Sequence, residues 1–361
     1  MGPHLAFATA VAAASIVLTA ATAAGGDRLV ELRTGGQVHE GRVLSKGRDY
    51  ILLEDRAGGF DWVPTPAVTA YRKVSSYRPY TRIEFKDALV REFGREREVT
   101  ASRHFVVCGP AGRTKAYVRL LDEVYASFER FFRIRGVRLH APERAMPMVV
   151  FPTRAEFDEY SVGDTGSTSP TLMGYYLPLT NRVALYEQPD RRGGVDETRT
   201  RDTLIHEAVH QLGFNTGLHA RLGENPKWVV EGLAMLFESP GVRTRQPSAR
   251  AGDRVNFERL ARFDTTASRR PGAHLDLVRG DERFNTHTLD AYAEAWGLNF
   301  YLLEKKSVAY ARYIQKVATR DTAIKYTADA REKDFTDAFG RDTKRFEADY
   351  LKFIDRLKRE R

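Results

Sequence analysis

Five consecutive residues, His206-Glu207-Ala208-Val209-His210, have the types and spacing of a hydrolytic metal site. Histidines four apart stand one turn above the other on a helix, so both imidazoles can reach one ion on the same face. A tetrahedral Zn²⁺ takes nitrogen ligands at roughly 2.0–2.1 Å and suits that spacing. Glu207, beside the first histidine, is then placed as general base for a metal-activated water. A chain with nine histidines can hold such a pentad by chance, so the surrounding elements must decide. Leu204, Ile205, Ala208, Val209 and Leu212 recur at helical spacing. The pattern predicts a helix from Thr198 to Leu212, with Gly213 as its stop.

A tetrahedral site needs a third protein ligand, and the next apolar stretch offers one. In Asn225-Pro226-Lys227-Trp228-Val229-Val230-Glu231-Gly232-Leu233-Ala234-Met235-Leu236-Phe237-Glu238, Asn225 reads as an N-cap, Pro226 as the first helical residue, and Ser239-Pro240-Gly241 as the end. Glu231 lies amid apolar residues, where a lone carboxylate is costly unless it is paired or bound to metal. Gly232 next to it would let a second helix approach closely.

His206-Glu207-x-x-His210 followed by Trp228-x-x-Glu231-Gly232-x-Ala234 resembles the gluzincin zinc metallopeptidases, nearest to the peptidase MA-like group. The metzincin pattern fits less well: Gly213 stands where it has a glycine, but Thr216 occupies the place of its third histidine, and His219 has no matching spacing. The resemblance spans roughly residues 102–358, although only the two motifs are specific. It implies zinc held by His206, His210 and Glu231, with water in the fourth position and a peptide or protein as substrate. Two more residues take family-like positions. Glu238, about two turns after Glu231, could accept a hydrogen bond from the other nitrogen of a ligand histidine. Tyr292 falls where similar enzymes place a tyrosine that donates to the developing oxyanion, with His287 and Tyr301 as further candidates. Tyr292, Trp296, Phe300 and Leu303 also form a helical stripe, which plain core packing would explain equally. The acidic motif with which gluzincin aminopeptidases grip a free amino terminus is absent, since the strand before the metal helix reads Gly174-Tyr175-Tyr176-Leu177-Pro178. Endopeptidase activity is therefore the expectation.

The elements that must carry this site read as an α+β, zincin-like domain over residues 101–361. His104 to Cys108 and Met146 to Phe151 read as strands around a long helix from Arg113 to Phe132. Gly174 to Pro178 and Asn181 to Glu187 read as a hairpin before the metal helix. In zinc peptidases of the resembled type that strand lines the cleft and pairs with an extended substrate. Residues 240–283, rich in Arg, Gly, Pro and Asp, read as a long loop with short helices. From Thr288 onward the pattern is helical: Leu289 to Glu304, Ser307 to Ala318, Asp334 to Phe339 and Thr343 to Glu360. Ahead of this domain, residues 27–75 carry short strands separated by Gly35-Gly36, Lys46-Gly47 and Gly58-Gly59. They suggest a small SH3-like β-barrel, similar to modules attached to exported enzymes. Residues 76–100 form a charged connector with one helix from Glu84 to Phe93.

Leu5 to Ala23 is an apolar run ending in Ala21-Thr22-Ala23, so residues 1–24 read as a signal peptide and the protein as exported: periplasmic, envelope-associated or secreted. The single Cys108, at the end of an apolar strand, can form no internal disulfide and reads as a buried small hydrophobe. The net charge of +9 is spread along the chain without basic stripes interleaved with aromatics, so no nucleic-acid partner is expected. Attraction to an anionic cell envelope is compatible with it. Two rivals to a peptidase are a catalytically silent envelope- or protein-binding module on the same scaffold, and a purely structural metal.

Overall fold

The computed structural model describes residues 28–244, 250–265, 269–322 and 324–359. The expected signal peptide lies outside the described residues. The chain opens with a five-stranded antiparallel sheet: β1 (Arg28–Thr34), β2 (Gln37–Lys46), β3 (Tyr50–Glu54), β4 (Phe60–Pro64) and β5 (Val68–Ser76), in the order β4-β3-β2-β1-β5. Its strands agree with the sequence pattern, but they do not close into a barrel. β4 and β5 end the sheet and share no ladder, and β5 breaks register against β1 at Leu29/Val30 and Arg33/Thr34. β5 is exposed along nearly its whole length, so no apolar interior demands closure. The sheet has only a small core of Val30, Leu32, Ile51, Leu53 and Val63.

A second, mixed sheet carries the larger half: β6 (Glu98–Ala101), β7 (Phe105–Gly109), β8 (Met146–Phe151), β9 (Gly174–Leu177) and β10 (Arg182–Tyr186), ordered β6-β7-β8-β10-β9. β7, β8 and β10 run parallel, whereas β9 pairs antiparallel with β10 and, among the described residues, with no other strand, which makes it an edge of the sheet. Because strand side chains alternate, one sequence supplies two cores. Phe105, Val107, Met148, Val183 and Leu185 face α2 (Thr114–Arg133) and the helical half of the protein. Val106, Cys108, Val149 and Ala184 face the other way, with Phe85 and Leu89 of α1 (Arg82–Phe93) and Phe157 of α3 (Arg154–Thr165). Cys108 is buried and unpaired, as its apolar setting predicts. The helix of the charged connector is thus anchored on this sheet, with a Thr81/Glu84 capping box at its start.

The two metal-motif helices follow, α4 (Glu197–Asn215) and α5 (Lys227–Glu238). After them come α6 (Pro240–Arg243), α7 (Phe257–Thr265), α8 (Ala273–Arg279), α9 (Arg283–Thr286), α10 (Thr288–Lys305), α11 (Ser307–Ala318), α12 (Ala328–Phe339) and α13 (Thr343–Arg359). Local signals misplace some ends. Gly213 lies inside α4, where the missing side chain makes room for the His219 ring, and the helix stops at Thr216 with Gly217 at φ 77°. Asn225 does not cap α5. Its side chain ties the preceding loop through Ala220 and Gly223, while Asp281 accepts the first helical amide, that of Lys227, at 3.0 Å.

The first sheet is fastened beside the β9–β10 hairpin. Phe60 N–H donates to the Leu179 carbonyl at 2.7 Å, and Arg221 donates to the carbonyls of Gly58 and Pro178 while its guanidinium covers the Phe60 ring. Below this, the buried Arg144 donates to Glu54 at 2.7 Å. No described helix is long and apolar enough to cross a membrane.

Candidate metal centre

α4 packs one apolar side on β9, β10 and α2 and another on α5, so His206 and His210 point into the interior. Their rings meet edge to face, with the two Nε2 atoms 3.0 Å apart. Across from them Glu231 enters from α5, with Oε2 at 3.4 Å from each Nε2. One ligand atom from each of the three lies within 4.8 Å of the others, so His206, His210 and Glu231 form a buried group that could hold a metal ion. Two imidazoles and one carboxylate are the donor set of a zinc site that keeps an open fourth position. All three residues are at most 4% exposed, which in the absence of an ion would leave a charged carboxylate against polar rings with little water.

Gly232 sets the position of Glu231. A Cβ on residue 232 would lie 2.6 Å from the Ala295 carbonyl of α10 and closer still to Nδ2 of Asn299. Asn299 fills this crossing, donating to the carbonyls of Trp228 and Ala295 at 2.8 Å each and accepting from Tyr310. The expectation of a close helix approach at Gly232 thus has α10 as its partner.

Glu238 stands where the sequence pattern puts it. His206 Nδ1 donates to its Oε1 at 2.9 Å, which leaves Nε2 directed at the ligand cluster, and Asn256 donates to Oε2 at 2.9 Å. Glu207 lies on the same helix as the histidines with both carboxylate oxygens buried and no hydrogen-bond partner among the described residues. The Tyr176 amide of β9 approaches it without good hydrogen-bond geometry. Tyr292, on α10, is 1% exposed, and its hydroxyl likewise lacks a partner. His287 and Tyr301 are not brought here: His287 is exposed next to Thr286, and Tyr301 packs among Phe346, Tyr350 and Phe353 of α13.

The electrostatics follow from burial and from the pairing. Burial disfavours a charged His206, but hydrogen bonds to Glu231 and Glu238 outweigh it and raise the imidazole to about 10. His210, with less help from carboxylates, is held below its ordinary value by burial. Burial would lift Glu231, yet the imidazoles of His210 and His206 beside it pull it well below the carboxylate range. Glu207 goes the other way. Burial, opposed by His206 and reinforced by Glu231, pushes it up to about 8. Two glutamates on facing helices are therefore driven apart, one towards a permanently charged ligand and the other towards a group that can exchange a proton near neutrality. Burial, together with the charges of Glu231 and Glu207, keeps Tyr292 protonated far above its usual range.

One residue with no sequence signal also belongs here. Arg259, on α7, is 5% exposed, with its guanidinium 3.6 Å from Glu238 Oε1 and 5.8 Å from the Tyr292 ring centre. It lies in the segment 240–283, whose composition predicts only loop and short helices. A cleft of about 270 Å³ reaches His206 and Glu238, with Pro240, Asn256, Phe257 and Glu258 also in its lining.

No curated protein matches this chain. Residues 201–323 match a family model described as "Protein of unknown function (DUF1570)". The matched stretch contains His206, Glu207, His210, Glu231, Glu238, Arg259 and Tyr292.

Proposed function

We propose that the protein is a zinc-dependent peptidase of the gluzincin kind, with a zincin-like domain and Glu207 as general base. One observation carries this reading: three ligand atoms converge within 4.8 Å while Glu207, one residue from the first ligand, is buried with neither oxygen bonded. A structural metal has no use for such a carboxylate, whose burial costs free energy, and a catalytic site does. Zinc held by His206, His210 and Glu231 would supply Lewis acidity, polarising the scissile carbonyl and making water a stronger acid. Glu207, poised by burial near neutrality, takes the proton of the attacking water and returns it to the leaving amine. Tyr292, kept protonated, donates to the carbonyl oxygen as negative charge builds there. Glu238 holds His206 in the tautomer whose Nε2 faces the ion. The edge strand β9, beside α4, offers backbone groups for an extended peptide to pair with. The substrate is thus a peptide or protein, and with the apolar leader, export is part of the proposal.

Digestion of casein and of a peptide library, with and without a chelator, tests the reading. Cleavage that chelation abolishes and zinc restores is expected. Zinc binding without any cleavage would favour a silent binding module instead.

A further inference from the structure

Among the described residues, Arg259 makes no close ion pair and its Nε has no hydrogen-bond partner. The side chain is buried, its Nε is enclosed without a hydrogen-bond partner, and its nearest carboxylate oxygen is 3.6 Å away. That distance is too long for a charge-assisted bond, which runs at about 2.7–2.9 Å. Glu238 cannot readily close it, because its oxygens already accept from His206 and Asn256. Asn256 also accepts the Arg259 backbone amide at 3.2 Å, so the start of α7 is pinned to the metal-site carboxylate and the guanidinium is pinned with it. An arginine held this way beside a polar cleft is a receptor waiting for a planar anion.

Resting on the peptidase reading, we infer that Arg259 binds the free carboxylate at the C-terminus of a peptide substrate, so that the enzyme removes residues from that end. Three features place the receptor correctly for this. Arg259 lies 3.6 Å from the Glu238 that orients His206 and 5.8 Å from the Tyr292 ring centre, so it stands next to the groups that surround the metal ligands. Phe257 and Glu258, just before it in the chain, form the wall of the cleft that opens on His206. Among the described residues Glu238 is the one carboxylate within 4 Å of this guanidinium, whose Nε has no hydrogen-bond partner. Neutral carbonyls of an internal peptide would leave its charge uncompensated, whereas a terminal carboxylate matches its fork.

The test uses the zinc-loaded Glu207→Gln protein, which holds peptide without cutting it, and calorimetric titration with an N-acetylated tripeptide as its free acid and as its C-terminal amide. The acid is expected to bind roughly 10- to 100-fold more tightly, the scale of a hydrogen bond between charged groups. Adding Arg259→Gln should abolish the difference, and Arg259→Lys should keep part of it, with zinc content unchanged in both. Equal binding of acid and amide, or failure of both to bind, overturns the assignment without any arginine variant having to fold. So does a preference that survives Arg259→Gln. A failure of the peptidase reading appears separately, as the absence of chelator-sensitive cleavage by the unsubstituted protein.

Discussion

Gly232→Ala probes how tightly the ligand Glu231 is tied to helix packing. The added Cβ would meet the Ala295 carbonyl at 2.6 Å, and ordinary contact begins at 3.4 Å, so α5 and α10 must separate by about 0.8 Å. Overpacking of this kind costs about 1–3 kcal/mol. Displacing Asn299 weakens its bonds to Trp228 and Ala295, at about 0.5–1.5 kcal/mol each. Alanine returns about 1 kcal/mol of helix propensity, for a net loss of about 3 kcal/mol. For a chain of this size, with an unfolding entropy of about 2.1 cal/mol/K per residue, the melting temperature should fall by roughly 4 °C. The same shift moves Glu231 relative to the two histidines, and disturbing the support of a metal ligand typically weakens binding about 10- to 100-fold. Thermal denaturation and zinc competition against a chromophoric chelator measure the two effects. Gly163→Ala in α3 is the control: nothing lies within 4 Å of its added Cβ, so it should gain about 0.5–1 kcal/mol. If Gly232→Ala keeps both its melting temperature and its zinc affinity, the α5–α10 crossing does not position Glu231.

Two further predictions concern proton and charge balance. Without metal, His206 keeps its proton up to about pH 10, and an ion binds only the neutral ring, so binding must expel that proton. Zinc affinity should therefore rise about tenfold per pH unit between pH 7 and 9; an affinity flat across that range, after correction for the competitor, contradicts the His206 environment. Glu54, held below its ordinary value by Arg144 and Arg42 in spite of burial, contributes stability that is present above pH 4.5 and lost as pH falls through its lowered value. Glu54→Gln leaves the buried Arg144 with Glu143 as its remaining carboxylate partner, so it should destabilise the first sheet by about 1.5–3 kcal/mol near pH 7 and by much less in acid. A pH-independent difference in denaturant midpoint would argue against that ion pair.

What the sequence could reveal was local. The apolar run from Met146 to Phe151 is β8 residue for residue, because a strand buried on both faces needs no partner to be recognised. Likewise, the spacing of His206 and His210, and a glutamate at 231 amid apolar residues, express helix geometry directly. Where a distant residue decides, the pattern fell short. The cap of α5 is Asp281, about fifty residues on, instead of the adjacent Asn225. α4 runs through Gly213 because His219 folds back on it. The first sheet stays open because closure depends on β4 and β5 meeting, which alternation within each strand cannot specify. Arg259 was invisible for the same reason, since nothing in its short helix sets it apart from Arg262, and its importance comes from Glu238 and Tyr292, on other helices. Tyr292 could be singled out, but only the fold separates it from Tyr301 on the same helix.

The central claim is that three residues hold zinc while Glu207 does proton chemistry beside it. Metal content and kcat/KM of Glu207→Gln, measured on one preparation next to the unsubstituted protein, test it most directly. The account predicts one equivalent of zinc in both, an unchanged melting temperature, and peptide hydrolysis lowered by about 10²- to 10⁴-fold, the usual contribution of a general base. Hydrolysis that survives in Glu207→Gln, or an unsubstituted protein that takes up no zinc, would contradict it.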